Sequence, residues 1–313
     1  MAAFVTATPT RRIDVLGDDR LRYLEDVTSQ HLTEVPTTHV RSALVLDTHG
    51  APTAMFDVVV LGDRLALLVP DDEVATVVTD VLAMRTFLLD ARFEPREGAS
   101  AALRGEDAKS VASAAGLTVV DGRCRVAGDL LLVSRGDGLD LFGPPQAVED
   151  AVAGLVAAGA ERGTSDDLET WRIRAGQPAW GREVVAPHLP EELGLLPSNV
   201  HLAKGCYPGQ EAVARMWMLG RPRRRLAVLA VEGEVAAGWR AGSGRASVEV
   251  TSVTPSGDEA LGFVPADVEP GATFSDEGAA GGVRVLRVLG NDPNPPGHDP
   301  AMRQRRDRAP ASR

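Results

Sequence analysis

The stretch RSALVLDTHGAPTAMFDVVVLGDRLALLVP, residues 41–70, constrains the fold more than any other. It holds three strand-like runs, at 41–47, 53–62 and 64–69, rich in β-branched residues. The turn signal THGAP separates the first two, and Gly62-Asp63 separates the last two. Connections that short suit hairpins, whereas parallel strands need a crossover of a dozen or more residues. Residues 72–84 follow with Val74, Val77, Val78, Val81 and Leu82 at helical spacing. Hairpin material leading into a helix is not a βαβ alternation, and the chain is predicted to be α+β.

The flanking segments extend this pattern. After a short leader, RLRYLEDVTSQHL (20–32) places Leu21, Leu24, Val27 and Leu32 on one helical face. A Gly/Ala/Ser-rich patch at 97–116 reads as a short helix plus loops, and DLLLVSR (129–135) with LDLFG (139–143) as a hairpin around Gly136-Asp137-Gly138. Two further helices are expected at 145–159, opened by Pro145, and at 165–175, with Ser165 or Asp166 as N-cap and Glu169 closing a capping box. From Leu226 the character changes to four short strand-like runs, LAVLAVEG, RASVEVTSV, EALGFVP and GGVRVLRVLG, joined by turn formers. These predict a small antiparallel barrel at 222–290, after an α+β region at 1–221. The stretch 291–313 has turn formers and charge with almost nothing apolar, and is expected to be disordered.

Bulk composition removes several function classes. A formal charge of -11 argues against general nucleic-acid affinity, DNA binding included, which needs a basic surface. An aromatic share of 4% leaves little for a base-stacking platform. Cys124 and Cys206 have no CxxC or Cys/His partner at zinc spacing, so a reduced chain without a metal site is expected. The N-terminus lacks the apolar core of a signal peptide, and no apolar run is long enough to span a membrane, so a cytoplasmic protein is expected.

The chemistry concentrates in HLAKGCYPGQEAVAR, residues 201–215. A chain with two cysteines, two tyrosines and two lysines puts one of each into Lys204-Gly205-Cys206-Tyr207. Pro208 suits the first turn of a helix through GQEAVARM, which would bury Ala212, Val213 and Met216 and leave Cys206 one or two residues before its start. The positive helix end and the Lys204 ammonium would then both favour a thiolate. The competing reading is that Cys206 is a small buried hydrophobe in a turn whose glycine and proline serve geometry alone. Glu211 and Arg215 are spaced for an intrahelical ion pair.

KGCYPGQEAVAR resembles the K-G-C-Y-x-G-Q-E signature of the YgfZ-type folate-binding proteins, relatives of the aminomethyltransferase (T-protein) of the glycine cleavage system. The likeness extends through WRIRAGQPAWG (171–181), LPEELGLLPSNVHLAKG (189–205) and LGRPRRRL (219–226), and more weakly over most of 12–270. The resemblance implies a ring of three subdomains with a C-terminal β-barrel, binding tetrahydrofolate and supporting iron–sulfur cluster assembly or repair. It implies iron–sulfur client or assembly proteins as partners, with indirect links to tRNA thiomodification. Cys206 and Lys204 would carry the chemistry, and Tyr207, Gln210, Glu211, Arg215, Arg174 and Asp57 would surround the cofactor.

Two positions depart from the transferase relatives. Where they carry a pterin-holding glutamate in R-L-E-A-G, this chain reads Arg172-Ile173-Arg174-Ala175-Gly176. A guanidinium offers no acceptor to a pterin, so Arg174 is either an exposed helical arginine or a contact for the folate glutamate tail. Asp57 is the nearest candidate for the transferase acid, or else a hydrogen-bonded strand residue. Arg221, Arg223, Arg224 and Arg225 form a basic knot that would meet an anionic partner or solvent. Three readings remain from the sequence: a folate-binding accessory protein for iron–sulfur proteins, a folate-dependent aminomethyl or one-carbon transferase, and an interaction scaffold with an inert Cys206.

Overall fold

A computed structural model describes residues 1–136, 138–219, 222–275 and 281–290. The expected disordered tail, Arg221 and the Asp137 turn position lie outside the described residues. The chain divides into two compact units, Met1–Val45 with Ala54–Trp171, and Leu46–Thr53 with the chain from Arg172 onward.

The first unit is built on two antiparallel-dominated sheets. Its strands are β1 (Phe4–Ala7), β2 (Arg11–Leu16), β3 (Val40–Leu46), β4 (Pro52–Val60), β5 (Leu65–Val69), β6 (Arg92–Arg96), β7 (Ala99–Arg104), β8 (Cys124–Ala127), β9 (Leu130–Arg135), β10 (Gly138–Gly143) and β11 (Glu161–Arg162). One sheet runs β3-β4-β5-β2-β6 and the other β11-β1-β7-β10-β9-β8. The hairpin reading of residues 41–70 therefore holds, with Asp57 opposite Leu68 and Val60 opposite Leu65. Val59, Ala66 and Leu68 of the first sheet meet Cys124, Leu131, Val133 and Phe142 of the second in one buried cluster. Each such apolar side chain contributes roughly 1.5–3 kcal/mol when fully withdrawn from water.

The residues before α1 were expected to be a leader, yet they supply β1 and β2. β2 lies between β5 and β6 because Ile13 and Val15 bury fully, and the intervening Asp14 is buried as well. Asp14 is tolerated there because guanidinium groups surround it. The sequence hides this strand because its central polar residue breaks the apolar pattern.

The first helix begins where expected but ends early. Helix α1 (Arg20–Val27) stops well short of Leu32. The Thr28 hydroxyl and N–H both donate to the Leu24 carbonyl, and Ser29 pairs with Leu44 of β3 through its N–H and hydroxyl. Strand pairing thus captures the chain before another turn can form. Helix α2 (Asp72–Thr76) is capped by Asp71, whose carboxylate accepts from the Val74 N–H at 2.9 Å. It continues as a π-turn segment, Val77–Leu82, and a 3₁₀ turn, Ala83–Arg85, with Val74, Val78 and Leu82 buried. The Gly/Ala/Ser patch resolves into β7 and helix α3 (Ala108–Ala114), which with α4 (Pro145–Ala157) covers the outer face of the second sheet.

Helix α5 (Ser165–Ala175) carries a capping box two residues earlier than the expected Asp166–Glu169 pair. Thr164 and Asp167 form it: the Asp167 N–H donates to the Thr164 hydroxyl, and the Asp167 carboxylate accepts from the Thr164 N–H. Thr164 and Asp167 satisfy both orphan donors, with the same three-residue spacing that Asp166 and Glu169 offer two residues later.

The second unit holds the short helices α6 (Leu196–Asn199) and α7 (Gln210–Leu219), followed by β12 (Arg224–Gly233), β13 (Arg240–Ala241), β14 (Val248–Val253), β15 (Glu259–Pro265), β16 (Thr273–Ser275) and β17 (Gly281–Val288). These strands form a nearly closed six-stranded sheet in the order β13-β14-β15-β12-β17-β16. Its core contains Ala227, Leu229, Val248, Val250, Val264, Val283 and Val285. The four runs read from the sequence all lie in it, with β13 and β16 added. Among the described residues no helix is long and apolar enough to cross a membrane.

Candidate functional site

The motif is a turn, and two glycines set its geometry. Tyr207-Pro208-Gly209-Gln210 is a β-turn in which the Gln210 N–H donates to the Tyr207 carbonyl at 3.3 Å. Gly209 has φ +78, the left-handed angle that the third position of a type II turn requires. Pro208 therefore occupies the second turn position rather than the first turn of α7, which begins two residues later, at Gln210. Gln210 opens the helix, and its side-chain carbonyl accepts from the Tyr207 N–H at 3.3 Å.

This turn packs against the THGAP loop of residues 46–53. A Cβ on Gly209 would lie 2.3 Å from the Asp47 carbonyl oxygen, and a Cβ on Gly50 would lie 2.9 Å from the Ala212 Cβ. The loop is itself fixed by Asp47, whose carboxylate accepts from the His49 and Ala51 N–H groups at 2.8 and 2.9 Å. Two loops of ordinary composition can meet this closely only because both contact points lack side chains.

Cys206 is exposed, which overturns the reading of it as a small buried hydrophobe. Cys124 is buried, and both cysteines are free. Burial pushes the Cys124 thiol up, away from the reactive thiolate form. Cys206 stands four residues ahead of Gln210 rather than one or two. The helix-end field fades within a turn, so the dipole contribution expected there is lost. The Lys204 Nζ lies 5.1 Å from the centroid of the Tyr207 ring. Tyr207 is buried, and burial raises its phenol above the ordinary value.

On α7, Val213 is buried, Ala212 and Met216 are half-buried, and Glu211 and Arg215 are exposed. The described residues show no ion pair between Glu211 and Arg215, contrary to the helical spacing rule. Such exposed pairs are worth a few tenths of a kcal/mol, too little to hold two long side chains together. The basic knot is dispersed: Arg224 pairs with Glu249 at 3.0 Å, Arg225 is buried, and Arg223 is exposed.

The two departures from the transferase pattern are both engaged in ion pairs. Arg174 binds Asp258 at 2.8 Å and Glu259 at 3.3 Å, at the start of β15. Asp57 is buried in the first unit, accepting from the Ser42 hydroxyl at 2.6 Å and pairing with Arg135. Arg135 also pairs with buried Asp140, which accepts from Arg104 at 2.5 Å, while Arg104 lies 4.8 Å from the Trp171 ring centroid. Asp140 is desolvated, but the attraction of Arg104 and Arg135 outweighs this and lowers its pKa. Within this network Asp57 is a structural partner of Arg135.

Sequence reasoning missed Glu183. It is fully buried and binds Arg172 at 3.0 Å, the Ala179 N–H at 2.9 Å, and the hydroxyls of Thr251 and Ser252 at 2.7 and 2.6 Å. This carboxylate ties the end of α5 to β14. Nothing in GREVVAP marks it, because two of its partners, Thr251 and Ser252, come from about 70 residues away.

Beside the motif, Glu191, Leu196, Pro197, Val200, His201, Leu202, Ala203, Trp217 and Gly290 enclose a mostly apolar cavity of about 330 Å³. That lies at the lower end of the roughly 300–1,000 Å³ typical of small-molecule sites. A pterin ring needs a flat apolar slot and an acceptor for its N–H groups. Arg174 and Asp57, committed to ion pairs, do not supply the acceptor. The buried carboxylate of Glu191 and the indole of Trp217 fit those needs, with Glu211 and Arg215 exposed on the same helix as Trp217. Among the described residues no group of three or more His, Cys, Asp or Glu side chains is placed to hold a metal ion.

No protein-family model and no curated protein sequence matches the chain. Solved structures do. The crystal structure of the glycine cleavage system aminomethyltransferase T from Bartonella henselae superposes with a TM-score of 0.78 and 19% identity, covering 91% of this chain and 85% of that one. The heterotetrameric sarcosine oxidase from Corynebacterium sp. U-96 gives a TM-score of 0.36 at 16% identity, covering 50% and 83%, too distant to bear on this molecule. At 19% identity the first likeness is one of fold: this chain has the mixed α/β fold of the glycine cleavage T-protein.

Proposed function

We propose that the chain is a tetrahydrofolate-binding accessory protein that supports iron–sulfur proteins through Cys206. The observation that carries this reading is an exposed thiol on a turn held rigidly by the Gly50–Gly209 contact, on a T-protein fold. A fold shared with an aminomethyltransferase makes a folate the natural ligand class. The cavity lined by Glu191 and Trp217 is the place we assign to its pterin ring, with Arg215 available to a glutamate tail. Tetrahydrofolate, when bound, is a carrier of one-carbon groups. The chain's own residues bind and orient it, and position Cys206 beside Lys204.

The transferase reading is disfavoured by the ion pairs of Arg174 and Asp57. Arg174, paired with Asp258 in the second unit, is a guanidinium with no acceptor to offer, and Asp57 is engaged by Ser42 and Arg135 within the first unit. The scaffold reading with an inert cysteine is disfavoured by the exposure of Cys206. The partners in this proposal are iron–sulfur client or assembly proteins, with effects on tRNA thiomodification following through such clients. One thiol does not fill a cluster's ligand set, so Cys206 acts on a cluster or sulfur species held mainly by the client.

The test is complementation. A strain lacking this chain receives wild type or Cys206→Ala, and the activity of a cluster-dependent enzyme is measured. Restoration by wild type and failure by a Cys206→Ala protein with unchanged circular dichroism supports the proposal. Equal restoration by both overturns it. Calorimetry with tetrahydrofolate, beside an assay for aminomethyl transfer, separates binding from turnover.

A further inference from the structure

We infer that the first unit carries an oxyanion site, suited to the phosphate group of a small molecule, in the cavity organised by Asp14. The cavity measures about 210 Å³ and is lined by arginines Arg11, Arg12, Arg64 and Arg96, by Gly98 and Gly143, and on one side by Phe142 and Pro144. It lies wholly within the first unit and shares no residue with the motif of residues 201–215.

Asp14 is fully buried and three arginines converge on it. Arg12 binds it in a two-pronged fork at 2.7 and 3.1 Å, Arg96 through Nε at 2.9 Å, and Arg64 through Nη1 at 3.4 Å. Arg12 is neutralised by Asp14 at the inner wall, and Arg64 and Arg96 each share Asp14 with a second carboxylate. Those second partners are peripheral: the exposed Asp63 holds Arg64 in a two-pronged fork at 2.6 and 3.0 Å, and Glu94 meets Arg96 at 3.3 Å. Solvent screens such exposed pairs strongly. Arg11, at the rim, is likewise held by a fork to the exposed Asp72 and does not reach Asp14. Among the described residues, the Nη1 atoms of Arg12 and Arg96 make no hydrogen bond within the chain.

These features select the ligand chemistry. Arginine forks match phosphate oxygens in geometry, and charge-assisted hydrogen bonds to them are among the strongest available. A phosphomonoester carries about -1.5 to -2 at neutral pH, and its tetrahedral oxygens accept from several directions. A carboxylate is planar and carries half that charge. The glycines let the strands close on the cavity floor, since a Cβ on Gly98 would lie 2.6 Å from the Gly143 carbonyl oxygen. Phe142 and Pro144 offer an apolar surface for the organic part of such a ligand. Glu97 and Asp129 also line the cavity, but both are exposed and oppose the anion only through solvent. They give the proposal a second handle.

Calorimetric titration of the full chain with inorganic phosphate and with glycerol phosphate, at constant ionic strength in chloride, tests it. One saturable site is expected. Binding should weaken by about tenfold or more in Arg64→Gln and in Arg96→Gln, the loss of one charge-assisted hydrogen bond, and should tighten in Glu97→Gln. Circular dichroism checks that each variant is folded; if an arginine variant is not, the wild-type and Glu97→Gln titrations decide. Heats that never saturate, or affinities unmoved by these substitutions, overturn the assignment.

Discussion

Substituting Gly209 by alanine tests the packing that holds the motif, and Gly205→Ala is the matched control four residues away. Gly209 sits at φ +78, where an L-residue costs roughly 1–2 kcal/mol. The added methyl would also lie 2.3 Å from the Asp47 carbonyl oxygen and 2.9 Å from the Leu46 Cβ. The first of these is backbone that cannot rotate aside, and overpacking of this kind costs roughly 1–3 kcal/mol. Together these give a destabilisation of about 3 kcal/mol. At roughly 2–4 °C per kcal/mol for a chain of this size, the thermal midpoint should fall by about 6–12 °C. A Cβ on Gly205 meets nothing within 4 Å, so Gly205→Ala should melt with wild type. Thermal melts followed by circular dichroism and by tryptophan fluorescence measure both. If Gly209→Ala melts within a degree of wild type, the close approach of the two loops does not hold the turn, and the argument for a rigidly presented Cys206 fails.

Four further outcomes follow from the same geometry. A thiol reagent added to the folded chain should modify Cys206 rapidly and Cys124 only on unfolding; stoichiometric labelling of both without denaturant would contradict the burial of Cys124. Tyr23 is buried, its hydroxyl donates to the Leu82 carbonyl at 2.5 Å, and burial pushes its phenol up to about 12, with Arg85 opposing. Because Tyr207 is also raised, neither tyrosine of the folded chain should be half ionised at pH 10, and stability tied to Tyr23 should be lost as pH climbs from its unfolded value toward 12. Ultraviolet titration at the tyrosinate band checks this. Asp258 is held down to about 2, chiefly by hydrogen bonds from Ser256 and Thr254, with Arg174 adding attraction. A depressed carboxyl stabilises above its unfolded value and loses that contribution as pH falls toward 2, so Ser256→Ala should flatten the acid limb of the stability profile below about pH 4. Arg174→Glu would place a third carboxylate beside Asp258 and Glu259; it should lower stability by about 1 kcal/mol, as expected for partly exposed pairs, without creating aminomethyl transfer. Detectable transfer activity in that variant would revive the enzymatic reading.

The sequence alone determined what local chemistry can determine. Short turn signals between β-branched runs specified the hairpins of residues 41–70 and the strands of the C-terminal sheet, because a hairpin is encoded within a dozen residues. Pro208 and Gly209 marked a break in the chain, and the concentration of Lys204, Cys206 and Tyr207 marked where to look. The tertiary structure decided everything that depends on distant partners. β2 forms around a buried aspartate because arginines from β2, β6 and the turn before β5 surround it. α1 ends early because Ser29 is claimed by β3. Arg174 and Asp57 form ion pairs with Asp258, Glu259 and Arg135, which lie 84, 85 and 78 positions away. An ion pair is a property of two positions brought together, and no single stretch of sequence contains both.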